Sequence, residues 1–298
     1  MRMNQVVRYI DEHLASPLTA EELAEVSAFS VHHFHRVFKR TMNENVLHFV
    51  NRLRVEKAAK LSVFQPERSL TDIALDCGLQ TPAHFARTFR RYTGLTATDY
   101  RTRFGLDLMY SRFREIQIAG KNGSARLREL EEKYRRLKIE VSLLPAQRAA
   151  CVHHRGTLVQ GGVNRGIGEE FGRLEAWMRA HDLLDSTSQA IGLVFDDPCV
   201  TPVSKQRYAV CFTTTNPIPS SLEVQPIETA GGKYAVLSLD EPADVLFELI
   251  HMSSIHWLPH SPYLWDESRS MMAIFPSAPF PDPQDPVRID FCIPVKLK

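Results

Sequence analysis

Apolar positions recur at helical spacing through the first hundred residues of this 298-residue chain. Val6, Val7, Ile10 and Leu14 form one stripe, closed by Ser16-Pro17. From Leu18 to Gly94 a single pattern is then written twice, about fifty residues apart. Each copy opens on Leu-Thr and runs a short helix through Leu23-Ala24 or Ile73-Ala74. Each turns at a small residue, Ala28 or Gly78, followed by an apolar one, Phe29 or Leu79. Each ends in a second helix with two phenylalanines four positions apart: Phe34 and Phe38, Phe85 and Phe89. That spacing puts both rings on one helix face. Thr19 with Glu22, and Ser69 with Asp72, carry cap signals for the leading helices. Between the copies, Val46, Leu47, Val50, Leu53, Ala58 and Leu61 predict one long helix that ends before Pro66. The pattern predicts an all-α unit over residues 1–105 holding two helix-turn-helix motifs.

From Ile139 the periodicity changes to that of strands, and a second duplication appears. Residues 148–152 match 233–237, the helical stretch 171–184 matches 246–258, and 207–212 match 288–293. The prediction is an α+β domain over 139–298: two strand–helix–strand–strand units sharing one antiparallel sheet, with helices on one face. Such an arrangement carries a pseudo-two-fold axis, and a groove along it is the natural ligand site. Between the halves, residues 106–138 read as a partly structured linker. It has a turn signal at Lys121-Asn122-Gly123-Ser124 and a charged helix after it.

In the second helix of the first motif, Phe34, Val37 and Phe38 point inward, which leaves His32, His35 and Arg36 outward. The matching positions in the second motif are Ala83, His84 and Arg87. Short helices at a steep angle with a basic outer face suit the DNA major groove, and these six match the base-reading positions of the family that the first hundred residues resemble, which makes them the candidate base readers. Arg36 has the fork that guanine O6 and N7 accept, and Ala83 offers only an apolar touch. Lys39, Arg40, Arg90, Arg91 and Arg101 lie near helix ends and are expected on phosphates.

Net charge of +1 hides an asymmetry: residues 1–140 hold 24 Lys+Arg against 17 Asp+Glu, and residues 141–298 hold 12 against 18. A +7 half beside a −6 half fits a chain of which one part meets a polyanion. No apolar run reaches the ~18 residues of a membrane span, and the N-terminus lacks a secretory apolar core, so a cytoplasmic protein is expected. Five scattered cysteines without a CxxC indicate neither a disulfide framework nor zinc. The trios His32-His33-His35 and His251, His256, His260 lack convergent metal spacing. No nucleophile motif or phosphate loop is present, so no enzyme activity and no cofactor are expected.

The first hundred residues resemble the DNA-binding domain of the AraC/XylS family of transcriptional regulators. The match rests on Leu23-Ala24, Ser30, Phe34, Arg36 and Phe38, then on Arg52-Leu53-Arg54-Val55-Glu56-Lys57-Ala58. It continues through Ile73-Ala74, Gly78, Phe85, Arg87, Phe89, Gly94 and Tyr100-Arg101. Asn43 stands where that family usually has Gly, a substitution compatible with a left-handed backbone, and Ala97 where Pro is usual. The resemblance implies double-stranded DNA and RNA polymerase as partners, with recognition helices in successive major-groove segments about 34 Å apart.

Residues 139–298 resemble the GyrI-like effector-binding domain of Rob-type and BmrR-type regulators. The residues concerned are His154-Arg155-Gly156, Phe195-Asp196-Asp197-Pro198, Thr201-Pro202, Arg207-Tyr208, Gly231-Gly232-Lys233-Tyr234-Ala235-Val236 and Trp257-Leu258-Pro259. That family holds amphipathic, often cationic molecules against a Glu in a Glu-x-Tyr strand. Here Met272 and Ile274 occupy those two positions, and Leu158 another usually held by Tyr. The resemblance therefore implies a small-molecule effector bound in a more apolar groove, with Trp177, Phe195, Tyr208, Trp257, Met272 and Ile274 as candidate contacts. Two alternatives stay open: a protein-interaction module, and a small-molecule hydrolase of the GyrI-like type.

Overall fold

The computed structural model describes residues 2–103, 123–155, 165–196, 201, 205–219, 221, 223–276 and 286–298. Leu158, Cys199, Gly156, Asp197-Pro198, Pro202 and the start of the turn signal at 121–122 lie outside them. The chain divides into two compact units, Met1–Leu108 and Met109–Lys298.

The first unit is all helix: α1 (Arg2–Glu12), α2 (Ala20–Val26), α3 (Val31–Met42), α4 (Val46–Phe64), α5 (Leu70–Asp76), α6 (Pro82–Thr93) and α7 (Ala97–Arg103). The cap signals act as read. Thr19 and Glu22 form a reciprocal capping box on α2, and Ser69 Oγ accepts from Asp72 N at 3.0 Å on α5. Both motif turns pass through a left-handed residue, Ala28 at φ 51° and Gly78 at φ 75°. Asn43 closes α3 at φ 54°, ψ 22°, in the left-handed conformation that its short amide tolerates. Gly94 does the same for α6.

The phenylalanine spines meet the connecting helix. Phe34 and Phe38 are fully buried, and Phe38 packs edge-on to Phe49 of α4 at 5.4 Å. Phe89 packs likewise on Tyr100 of α7. Because elements of both motifs pack on it, α4 is buried nearly all round, and even Arg52, Arg54 and Ser62 are inside. Leu47 departs from its expected place in the apolar stripe. It sits in the first turn of α4 and is 66% exposed.

The second unit opens on α8 (Gly123–Arg136), the charged helix expected after the turn. It is not a free tether. Leu130 is buried, and Lys133 Nζ bonds Glu241 Oε2 at 2.5 Å. There follow β1 (Ile139–Leu144), β2 (Gln147–Arg155), α9 (Arg165–Ala180), β3 (Ala190–Val194), β4 (Arg207–Thr213), β5 (Gln225–Thr229) and β6 (Gly232–Glu241). Then come α10 (Ala243–Met252), a π-helical turn (Ser253–Trp257), α11 (Leu258–His260), β7 (Tyr263–Trp265), β8 (Met271–Phe275) and β9 (Val287–Leu297).

All strand pairs are antiparallel, in the order β1-β6-β9-β8-β3-β4-β2-β5, with β7 beside β9. The duplication is visible in that order, since β6-β9-β8 mirrors β2-β4-β3. The two copies meet where β3 pairs β8, centred on Gly192 opposite Ala273. Side chains alternate across the sheet. Phe212 and Phe275 meet Phe171 of α9, and α10 packs on β6 over buried Leu237 and Leu239. Both helices thus pack on one face of the sheet, as the duplication predicted.

Candidate functional site

Ser30 caps α3, its Oγ accepting from His33 N, and Thr81 caps α6 with Pro82 at the first turn. Phe34 and Phe38 hold α3 down by its inner face, so His32, His35, Arg36, Lys39 and Arg40 are all exposed. On α6, Ala83, Arg87, Arg90 and Arg91 are exposed and His84 is half-buried. Two further histidines hold arginines on these helices: His33, which the sequence raised only in a metal trio, and His48, which it did not raise. Arg36 Nη2 donates to His33 Nδ1 at 3.0 Å, and Arg91 Nη2 to His48 Nε2 at 3.1 Å. Each contact requires a neutral imidazole that presents a lone pair. Tyr92 Oη also donates to His48 O at 2.9 Å, which fixes α6 to the first turn of α4.

Arg101 departs from its expected place on phosphates. Its Nε donates to Ser62 O at 3.1 Å and its Nη2 to Arg68 O at 2.8 Å, clipping α7 to the end of α4 and the loop after it. The charge asymmetry is also more local than the two halves suggest. Residues 1–108 hold 15 Lys+Arg against 12 Asp+Glu, or +3, so the basic character of this unit sits on its two recognition helices rather than in its total.

On the face of the sheet opposite α9 and α10, two register rows run across the centre: Ala209-Leu193-Met272-Cys292 and Cys151-Cys211-Ile191-Ile274. Those side chains form one cluster with Ala149 and Tyr234, joined at its margin by Phe195, Val236 and Ile274. The floor is apolar. Met272 is 3% exposed, and Cys292 is buried with its thiol pushed up to about 12 by burial and the Asp290 charge. At one margin, His153 stacks on Phe195 at 5.7 Å and the Arg207 guanidinium lies over the same ring. Arg207 is neutralised by a buried pairing with Asp196, with Nη2 to Oδ1 at 2.7 Å and Nε to Oδ2 at 2.9 Å.

Of the six candidate contacts, the structure brings together Phe195, Met272 and Ile274. It does not bring in the other three. Tyr208 alternates to the helix-covered face, where its hydroxyl lies over Gly192, so close that a Cβ there would fall 1.5 Å from it. Burial raises the pKa of that hydroxyl. Trp177 is half-buried on α9 and stacks on His181, and Trp257 stacks on Tyr263. Glu170, also on the helix side, accepts from His154 Nδ1 at 2.9 Å, and the buried Nε2 and Oε2 of this pair have no hydrogen-bond partner.

A disulfide joins Cys151 to Cys211, against the expectation of none. Cysteines 60 residues apart carry no spacing signal, and only the strand register shows them opposed. Among the described residues no cluster of three His, Cys, Asp or Glu could hold a metal, and no helix is long and apolar enough to cross a membrane.

The family of helix-turn-helix domains matches residues 23–103, and the GyrI-like small molecule binding domain matches residues 137–296. An uncharacterized HTH-type transcriptional regulator of Staphylococcus aureus (strain MSSA476) is 37% identical over 100 residues. The match covers 34% of this chain and 13% of that protein, so the chain aligns with only a small part of this relative. The bifunctional transcriptional activator/DNA repair enzyme AdaA of Bacillus subtilis (strain 168) is 29% identical over 106 residues, 36% of this chain and 50% of that protein. Among solved structures, the EcmrR C-terminal domain aligns at 11% identity with a TM-score of 0.43, covering 54% of this chain and 99% of that one. Matched over more than half its length, the chain belongs to the family of GyrI-like small molecule binding domains, and ahead of that module it carries a helix-turn-helix domain of the AraC type.

Proposed function

We propose that the chain is a sequence-specific, DNA-binding transcriptional regulator whose C-terminal domain takes a small apolar effector. The observation that carries the DNA half is the paired outer face: exposed His32, His35 and Arg36 on α3, repeated on α6 as exposed Ala83 and Arg87 with half-buried His84 between them. Arg36 reads a guanine and His33 steadies it. Lys39, Arg40, Arg90 and Arg91 position the two helices on phosphates. A regulator so placed acts on transcription through RNA polymerase.

A bound sequence is obtained by in vitro selection with the full chain. Arg36→Ala is then expected to weaken that sequence by about 1–3 kcal/mol, roughly 10–100-fold, and to relax one base position. Arg40→Ala weakens specific and random DNA alike and lowers the salt slope by about one. Equal losses on specific and random DNA for both variants would remove Arg36 from base reading.

The effector half rests on Met272 and Ile274 at the centre of an apolar floor. The charged pair at its margin, Asp196 with Arg207, is already mutually neutralised. Among the described residues the floor's own side chains include no carboxylate, and Asp290 stands at its margin with Oδ1 accepting from Ser238 Oγ, so a cation leaving water for the centre of the floor gains no direct counter-charge, which is unfavourable. A neutral aromatic or acyl molecule gains about 25 cal/mol per Å2 of apolar surface buried. The full chain is expected to bind a neutral aromatic dye more tightly than its cationic analogue, and Met272→Glu to reverse that order. Tighter binding of the cation by the unmutated chain overturns the assignment.

A further inference from the structure

We propose that the Cys151–Cys211 bridge is a redox modification site coupled to occupancy of the apolar floor, an inference that rests on reading that floor as the effector site. The two cysteines are directly opposed on β2 and β4, with Cα atoms 4.1 Å apart, and both are fully buried. Their row continues through Ile191 to Ile274, so the bridge is part of the floor itself.

The sheet does not need this bond to keep its register. β2 and β4 are paired over seven positions from Ala149–Thr213 to Arg155–Arg207, and β5 flanks β2 on its other side. A bond that is redundant to the fold is free to open and close without refolding. Its two states still differ at the floor. Closed, the bridge offers the floor two sulfurs without a proton; open, it places two thiols, each a weak hydrogen-bond donor, beside Ile191 and Ala149.

A small dithiol supplies the chemistry. Its thiolate attacks one sulfur, the other leaves as a cysteine thiolate that takes a proton, and the reagent's second thiol resolves the mixed disulfide. The protein gains two electrons and two protons, and the dithiol leaves as a cyclic disulfide. A low-molecular-weight disulfide runs the exchange in reverse. Both sulfurs are fully buried, so a reagent reaches them only when the side chains around them part, and an apolar occupant packed on those side chains slows that opening. Cys292, on the same face, is two strands away from Ile191 across β8 and keeps its thiol on Asp290 O at 3.4 Å. By linkage, an occupant that binds one redox state more tightly shifts the thiol–disulfide equilibrium toward that state by the same factor.

The test uses the full chain purified without reductant. Unfolded in an alkylating agent and digested, it should yield the Cys151 and Cys211 peptides linked, with Cys77 and Cys292 alkylated. In the native protein, saturating N-phenyl-1-naphthylamine, a neutral apolar dye, should slow reduction by dithiothreitol by at least about fivefold. The dye's affinity should differ by a comparable factor between the oxidised and reduced chain. The double variant Cys151→Ala, Cys211→Ala should lose all response of dye affinity to dithiothreitol, and the reduced unmutated chain provides the comparison if that variant fails to fold. Separate, alkylated Cys151 and Cys211 peptides overturn the proposal. So does a bound dye indifferent to the redox state, and in that case the effector reading stands. A dye that binds neither state removes the effector reading and the coupling together.

Discussion

Arg52→Ala is expected to cost the first unit about 3–5 kcal/mol and to abolish DNA binding by both motifs. Arg52 is 3% exposed in the middle of α4. Its Nε and Nη2 donate to Glu44 Oε1 at 3.1 and 2.8 Å, and its Nη1 donates to both oxygens of Glu56 at 3.1 Å. The two carboxylates are themselves largely shielded, at 8% and 13% side-chain exposure. Burial alone would lower the guanidinium pKa, but the Glu56 charge and the Glu44 contact outweigh it and raise it. Removing the cation takes from two largely buried carboxylates the guanidinium that bridges them. The damage reaches both motifs, because Glu44 lies in the turn between α3 and α4 while α4 is also the platform for α5, α6 and α7. Urea unfolding followed by far-UV circular dichroism measures the loss. A loss below about 1 kcal/mol would mean that water reaches the carboxylates and the site behaves as a surface pair.

Gly78→Ala is expected to cost about 2–4 kcal/mol, well above Gly94→Ala at about 1 kcal/mol. Both glycines are left-handed, at φ 75° and 77°, so the backbone component is shared. They differ in surroundings. A Cβ on Gly78 would fall 2.7 Å from Leu14 O, 2.9 Å from Ala15 O and 2.9 Å from Arg54 Nε, whereas nothing lies within 4 Å of one on Gly94. Two of those three atoms are backbone. The third belongs to a guanidinium already committed to Leu14 O and Ser16 O. The turn of the second motif is thus wedged against the end of α1, which explains why the chain keeps Gly here while the first motif manages with Ala28. Thermal denaturation separates the variants by several degrees at about 4–8 °C per kcal/mol for a unit of this size. Equal losses would show that α1 yields and only the left-handed backbone matters.

The helical half of the fold is legible because its determinants are local. Thr19 and Glu22 cap within one turn, Phe34 and Phe38 repeat within one turn, and Asn43 needs only a short amide at a helix end. What sequence missed there depends on partners far along the chain. Arg101 resembles any basic residue near a helix end until Ser62 O and Arg68 O, more than thirty residues away, appear beside it. Leu47 fits the apolar stripe of α4, but periodicity does not say how far the neighbours that would cover it extend.

In the sheet half, the duplication made the topology readable, and β6-β9-β8 does mirror β2-β4-β3. Which face each side chain takes was not readable, because a shift of one residue in register moves every side chain to the other side. Met272 and Ile274 lie on the floor as the strand motif implies, while Tyr208, a candidate through the same resemblance, falls on the opposite face. The sequence of α8 is mostly charge, which reads as part of a partly structured linker. One buried leucine, Leu130, and the Lys133–Glu241 pair attach it to the domain that follows.

The seam between β3 and β8 gives the floor a symmetry number. Rotation about the midpoint of Gly192 and Ala273 exchanges Ile191 with Met272 and Leu193 with Ile274. These four apolar side chains of similar bulk carry no polar group to mark one end from the other. A molecule lying on them meets nearly the same surface after turning end for end, so two poses of nearly equal energy compete. Their degeneracy contributes RT ln 2, about 0.4 kcal/mol, that a unique pose would forfeit. Orientation is then decided only at the margins, where Phe195 and Arg207 stand on one side and Asp290 with Ser238 on the other. A crystal of the complex should show such a molecule at split occupancy unless its own polar group reaches one of those margins.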